Sequence, residues 1–251
     1  MKIFRRLSKP EWRENFQEEI KFLQGRDHPA VMRVYDEGLY LEQHPFVVAE
    51  YLPSTLGTEM KSRPKMVEKI AYALQMLSAL EYLASDDVSV VHRDIKPENI
   101  FIKGGSCGVG DFGLIKRTKS SRDPEFDKDL VQASVGPRMP RSYRTPDLVA
   151  YLQGGPDPTV NSDVYQLGLV LAELFGGANI QKPMSSEFTD PIELNPFFIP
   201  GSLGKPIKDL IGLMLDENRD ERPEAAELLP QWQDLFLDAG RRADALDGRV
   251  F

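Results

Sequence analysis

Three residues set the chemistry that this chain could perform. Asp94 and Asn99 stand five apart in the run Val91-His92-Arg93-Asp94-Ile95-Lys96-Pro97-Glu98-Asn99-Ile100. Asp111 opens Asp111-Phe112-Gly113, 17 positions after Asp94. An aspartate and an asparagine so spaced form a tight loop, and with the second aspartate they supply one proton acceptor and two oxygen ligands for a metal ion. Phosphoryl transfer from a nucleotide needs that combination, because its catalysis is mostly positioning and neutralisation of charge.

The elements that must position these residues follow from periodicity. Lys2 to Leu7 reads as the end of a strand. Pro10-Glu11 opens a helix, since Pro suits a first turn and Glu suits the N-terminal dipole. That helix carries Trp12, Phe16, Glu19 and Leu23 at spacings of 4, 3 and 4, which puts them on one face. Glu18 is rotated about 100° away. A carboxylate on a core-facing stripe needs a partner, and Lys2, 17 residues before Glu19 on the preceding strand, is the candidate. Gly25 and Pro29 end the helix. Val31 to Leu41 and Phe46 to Leu52 read as strands, and Pro53-Ser54 forms a break. Val67 to Leu83 is helical, with Ile70, Leu74, Leu77 and Leu80 recurring at helical spacing. Val90-Val91 and Ile100-Phe101-Ile102 are short strands on either side of the loop that carries Asp94. The glycine-rich run Gly104 to Gly110 reads as a hairpin turn leading into Asp111. Ser162-Asp163 caps a hydrophobic helix to about Phe175, and Lys205 to Leu215 and Pro223 to Phe236 are two more helices.

The expected fold class is therefore α+β. A small strand-rich part of about residues 1–52 precedes a larger helical part, 53–251, within one domain. The 251 residues suffice for that. Hydrophobic content of 41% and charged content of 28% are ordinary for a globular protein. A net charge of -8 argues against a nucleic-acid partner. The one cysteine, Cys107, cannot form an intramolecular disulfide, which fits a reducing, cytoplasmic setting or simply a protein that needs no disulfide. No apolar run reaches the roughly 18–20 residues of a membrane helix. The longest candidate, Leu167 to Phe175, is interrupted by Glu173, so no membrane association is expected. Met1 to Arg6 is too short in its apolar part for a signal peptide.

The run HRDIKPENI, followed by DFG at the observed distance, resembles the eukaryotic-type serine/threonine protein kinase family over about residues 2–236. The resemblance implies a two-lobed fold with the active site between the lobes. It implies ATP and Mg²⁺ as cofactors and a protein serine or threonine hydroxyl as acceptor. It makes Asp94 the catalytic base, Lys96 the lysine that steadies the transferred phosphate, and Asn99 and Asp111 the metal ligands. Lys2-Ile3-Phe4 is similar to the end of the strand bearing the ATP-contacting lysine. Glu19, nine residues before His28-Pro29, matches its helix partner. Glu50-Tyr51-Leu52 would be a hinge, with Glu50 and Leu52 contacting adenine through backbone groups, and Ala49 a small residue guarding a back pocket. Leu23, Val34, His92 and Phe112 fall where the family stacks an internal spine, which makes His92 structural. His28 and His44 read as structural or surface residues.

Asp111 to Asp147 looks like the family's activation segment, ending in Tyr143-Arg144-Thr145-Pro146-Asp147. Asp147 stands where the family has a glutamate paired with the equivalent of Arg222, and one methylene less predicts a looser pair. Pro140 replaces the usual substrate-side threonine. Asp163 resembles the aspartate that supports the catalytic loop backbone. Lys116, Arg117, Lys119, Arg122, Arg138, Arg141 and Arg144 make the segment basic. That pattern reads as a solvated loop, or as an attraction for acidic substrates or phosphates. The family's glycine-rich phosphate lid has no room before Lys2. The expectation is thus either a fragment of a longer kinase or a kinase trimmed of that lid, with weak ATP binding. The alternative to an active kinase is a non-catalytic kinase-like binding or regulatory module. A small-molecule phosphotransferase on the same fold is a third reading.

Overall fold

The computed structural model describes residues 1–4, 10–117, 124–134, 143–182 and 190–247. The chain begins with β1 (Lys2–Ile3), α1 (Pro10–Leu23), β2 (Val34–Tyr40) and β3 (His44–Ala49). β3 lies between β1 and β2, antiparallel to both, with Lys2 opposite Val47 and Tyr40 opposite His44. β2 starts later than its apolar run predicts. Val31 is diverted into a parallel bridge with Val109, and a register shift between Val34 and Asp36 twists the strand start. β3 ends at Ala49 rather than Leu52, because the N–H of Glu50 makes the last bond, to the Arg33 carbonyl.

α1 buries its inward stripe in two places. Phe16 and Ile20 pack with Val47 of the sheet, with Phe4 and Val34 alongside. Phe22 and Leu23 belong to the main core. Trp12 is only half-buried and meets the ring of Phe126 edge-on.

The main core is built by β4 (Ser54–Thr55), α2 (Leu56–Glu59), α3 (Met66–Ala84), β5 (Val90–Val91), β6 (Ile100–Lys103), β7 (Ser106–Val109), β8 (Lys116–Arg117), α4 (Pro124–Ser134), α5 (Pro146–Leu152), α6 (Val160–Gly176), α7 (Gly204–Met214) and α8 (Ala225–Asp247). β6 pairs antiparallel with β4 and β7, and β5 pairs with β8. The glycine-rich run is the β6–β7 hairpin as expected, with Gly104 at φ +60 in its turn. Gly110 has a different reason to be glycine, since a Cβ there would lie 2.7 Å from the Phe101 ring.

α6 is buried from Ser162 through Ala172; its apolar residues lie on all faces, and its polar members Ser162, Asp163 and Gln166 are buried with side-chain partners. Its cap is Thr159, not Ser162-Asp163. Those two side chains are already engaged, Ser162 with Thr145 and Asp163 with the loop after β5. α8 runs to Asp247, well past the expected end at Phe236, and Ala239 on this extension is buried against the main core. No helix among the described residues is long and apolar enough to cross a membrane.

Trp232 anchors α8. It is fully buried, its ring centroid is 5.8 Å from that of Phe175, and its indole N–H has no acceptor among the described residues. Trp232→Ala should cost about 3–5 kcal/mol in chemical denaturation. Trp232→Phe should cost clearly less, since it removes volume and an unsatisfied donor together. Equal costs for the two would show that the indole N–H is hydrogen-bonded.

Candidate active site

The loop between β5 and β6 is held from behind by α6. The Asp163 carboxylate accepts the backbone N–H groups of His92 at 2.7 Å and Arg93 at 2.8 Å. Burial pushes this carboxyl up to about 7, against the downward pull of those two amides. Arg93 takes a left-handed backbone, φ +67, which an arginine adopts only when its surroundings impose it. The N–H of Asp94 donates to His92 Nδ1 at 3.2 Å, and His92 Nε2 lies 3.2 Å from the Gly110 carbonyl. These partners assign the ring proton to Nε2. His92 is therefore structural, its ring edge-on to Phe112.

Around Asp94 the expected residues come together. Lys96 Nζ lies 2.9 and 2.8 Å from the two Asp94 carboxylate oxygens. Asn99 Nδ2 donates to the Asp94 carbonyl at 2.9 Å and to its Oδ2 at 2.7 Å. Burial raises the Asp94 carboxyl above the ordinary range, with Lys96 and Asn99 opposing.

A second group forms where β1, α1 and the chain after β7 meet. Lys2 Nζ lies 2.8 and 3.1 Å from the Glu19 carboxylate oxygens and 3.0 Å from Asp111 Oδ1. Glu19 is buried, whereas Lys2 and Asp111 are half-exposed. Burial opposes the charge on Lys2, but Glu19 and Asp111 outweigh it and hold its ammonium above its ordinary pKa. Burial alone would raise the Asp111 carboxyl, yet Lys2 holds it below. Glu19 stays raised by its deeper burial. The Asn15 amide adds a bond from α1 to the Gly113 carbonyl, 2.8 Å.

Lys2, Glu19 and Asp111 line a cavity of about 330 Å³ with Val47, Ala49 and Glu50. Leu52 lines a neighbouring cavity of about 410 Å³ instead, which Glu50 also borders. The Glu50 carboxylate is taken by Lys103 at 2.9 Å. Asp94, Lys96 and Asn99 lie outside both linings. The donor set suits Mg²⁺. Asp111 keeps its second oxygen when Oδ1 serves Lys2, and Asn99 keeps its amide oxygen when Nδ2 serves Asp94. These are hard oxygen donors, few in number, as that ion takes when phosphates and water complete its shell. Among the described residues no three His, Cys, Asp or Glu side chains form a metal cluster by themselves.

The segment after Asp111 differs from the solvated loop that its basic residues suggest. It contains α4, and Asp127 of α4 is fully buried. The Arg93 guanidinium grips both Asp127 oxygens, at 2.6 and 2.9 Å, and its Nε donates to the Leu114 carbonyl at 2.7 Å. The Tyr151 hydroxyl donates to Asp127 at 2.8 Å. Lys116 Nζ is 3.3 Å from Asp127 and 2.7 Å from Asp157. Burial would raise the Asp127 carboxyl, but Arg93, Tyr151 and Lys116 hold it far below the carboxylate range. Lys116 and Arg144 are thus buried rather than solvated. The Arg117 side chain and Lys119, Arg122, Arg138, Arg141 and Pro140 fall outside the described residues. Pro124-Glu125 is a helix-start signal that could have revealed α4. Nothing in the spacing pointed to Asp127 as the partner of Arg93.

At the far end, Thr145 caps α5 through its hydroxyl. Arg222 Nη1 lies 2.8 Å from Asp147 Oδ2, a full hydrogen bond, so the shorter side chain does not loosen this pair. It makes one contact where a fork could make two, and the other guanidinium N–H groups go to the carbonyls of Asp216 and Asn161.

A family model described as protein kinase domain matches residues 1–232. The chain is 28% identical over 237 residues to the serine/threonine-protein kinase WNK2 of Mus musculus, covering 90% of this chain and 10% of that protein. It is 30% identical over 220 residues to the mitogen-activated protein kinase HOG1 of Hortaea werneckii, covering 86% and 55%. With the mitogen-activated protein kinase hog1 of Botryotinia fuckeliana (strain B05.10) it shares 30% identity over 261 residues, covering 99% and 67%. The chain thus spans about a tenth of the length of the WNK relative.

His92 predicts an acid sensitivity of the site. Burial lowers its pKa to about 4 from 6.5, so the native state favours the neutral ring. The resulting stability is complete above about pH 6.5 and is lost as the pH falls towards 4. A shift of this size corresponds to on the order of 3 kcal/mol. Asp163, raised to about 7, gains stability over the same window, so the His92 contribution is read as a difference. In urea titrations stepped between those limits the parent should lose stability relative to His92→Phe, which has no proton to gain, and parallel profiles would remove His92 as the source.

Proposed function

We propose that this chain, which belongs to the protein kinase family, transfers the terminal phosphoryl group of ATP to a serine or threonine hydroxyl of a protein. The observation that carries this reading is the triple contact of Lys2 with Glu19 and Asp111. A buried carboxylate there holds a half-exposed ammonium against a second carboxylate that still has an oxygen to give. Such an arrangement suits the recognition of phosphate together with a metal ion.

In this mechanism Lys2 binds phosphate oxygens, and Glu19 keeps the ammonium aimed into the cavity. Mg²⁺ held by the oxygens of Asn99 and Asp111 would neutralise phosphate charge. Asp94 accepts the proton of the acceptor hydroxyl, and burial makes it a better acceptor than an ordinary carboxylate. Lys96, now on Asp94, is placed to turn towards the transferred group. Backbone groups of Glu50 and Leu52 would meet adenine, with Ala49 in the cavity wall. The serine/threonine preference is supported by Lys96 and by the likeness to the serine/threonine-protein kinase WNK2. The net charge of -8 gives no reason to add a nucleic-acid partner. The lone thiol, Cys107, is buried and pushed up to about 12, which leaves it unreactive, and a cytoplasmic setting is part of this proposal.

Asp94→Asn should lower transfer to a serine or threonine peptide by about 10²–10⁴-fold. Nucleotide binding and melting temperature should be preserved, and labelled ATP with a thermal shift in Mg²⁺-ATP measures both. Equal turnover of variant and parent would remove Asp94 as the base. A parent that binds Mg²⁺-ATP yet transfers nothing would favour a non-catalytic binding module.

Lys2→Met and Glu19→Gln should each reduce turnover, and the double variant should be little worse than either single one. The expected coupling is about 0.5–3 kcal/mol, as for residues in one hydrogen-bond network. Fully additive losses would show that the two act separately.

A further inference from the structure

We propose that Gln166 of α6 is a positioning residue for Asp94 and sets the spacing between Asp94 and the chain at Tyr143. This rests on the phosphoryl transfer proposed above. Gln166 is buried, 4% exposed, one turn beyond Asp163. Its Oε1 accepts the N–H of Ile95 at 2.9 Å. Its Nε2 donates to the Arg93 carbonyl at 3.1 Å and to the Tyr143 carbonyl at 2.9 Å.

The Arg93 carbonyl belongs to the peptide entering Asp94, and the Ile95 N–H to the peptide leaving it. One side-chain amide therefore clamps both peptides that carry the base. The third bond ties the same amide to the end of the segment between Asp111 and Asp147. Arg93 and Tyr143 sit in the left-handed region, at φ +67 and +68, so both carbonyls are presented by backbone that needs external support. Beyond Tyr143 the chain stays fixed. Arg144 exchanges backbone bonds with the Gln181 amide at 3.2 Å in each direction, and Thr145 bonds Ser162 at 2.8 Å.

Only a primary amide of this length satisfies the set. Glutamate is the same size but would set an oxygen against two carbonyl oxygens. Asparagine falls one methylene short. Methionine fills the space but leaves one buried N–H and two carbonyls without this partner, which is the costly way to lose a hydrogen bond. As part of this proposal, the acceptor hydroxyl is received between Asp94 and the chain at residues 143–145, the two positions that Gln166 joins. A side chain that joins those two positions fixes the gap in which the hydroxyl is received.

The test uses Gln166→Glu and Gln166→Met in the full chain, with two readouts. Hydrogen exchange by mass spectrometry should quicken in peptides covering residues 91–96 and 143–147, with α7 unchanged as the internal reference. In kinetics with a serine peptide, kcat should fall about 10–100-fold, the scale of a small misplacement of reacting groups. KM for ATP should stay within roughly twofold, because the nucleotide is held elsewhere. Unchanged exchange at residues 91–96, an equal rise in α7, or a KM for ATP that climbs as kcat falls would each overturn the proposal. If the parent chain transfers no phosphate, that failure belongs to the proposed function, and the exchange readout alone decides whether Gln166 positions the loop.

Discussion

Four consecutive backbone N–H groups, from His92 to Ile95, are satisfied by side chains rather than by a strand or helix partner. Asp163 takes two, the His92 ring takes one and Gln166 takes one. Leaving any of them unpaired in this buried setting would cost about 1–3 kcal/mol. The shape of the loop is thus imposed by α6 and by His92, not by local propensity. α6 can act as a template because it is buried along nearly its whole length and cannot shift without disturbing the main core. The left-handed Arg93, the closeness of Lys96 and Asn99 to Asp94, and the reach of Arg93 to Asp127 all follow from that constraint.

The buried charges play a similar part. Taking an ion pair out of water is worthwhile only when every remaining donor and acceptor is met. Asp127 meets Arg93, Tyr151 and Lys116, and Arg222 meets Asp147 together with the carbonyls of Asp216 and Asn161. These pairs fix where α4, α5 and the chain before α8 stand relative to the loop. An exposed pair such as Lys205 with Asp209 is worth at most about 1 kcal/mol and fixes nothing comparable.

Much of this was legible in the residues. The stripe on α1 identified Glu19 against Glu18, and the requirement that a buried carboxylate have a partner identified Lys2. The helices α3 and α7 came out within a residue or so, because their apolar spacing is regular. What escaped the sequence was non-local. Whether a residue that can cap a helix does so depends on competing partners, and the side chains of Ser162 and Asp163 were drawn to Thr145 and the catalytic loop. Where α8 stops depends on which of its residues find a core, not on the fading of its pattern. The solvated appearance of Lys116 was misleading because charge in a sequence does not reveal the counter-charges folded against it, here Asp127 and Asp157. Gln166 left no trace at all, since a lone glutamine in an apolar helix has no spacing to betray three bonds.

The rotational phase of α1 is fixed at several points at once. Asn15 bonds Gly113, Phe16 packs on the sheet, Glu19 holds Lys2, and Phe22 lies 5.3 Å from Phe112. A turn by one residue would bring the exposed Glu18 round towards Lys2 and break these contacts together. The helix therefore works like a key with several teeth in one lock. Partial rotation gains nothing, so the contacts along this face hold or fail together.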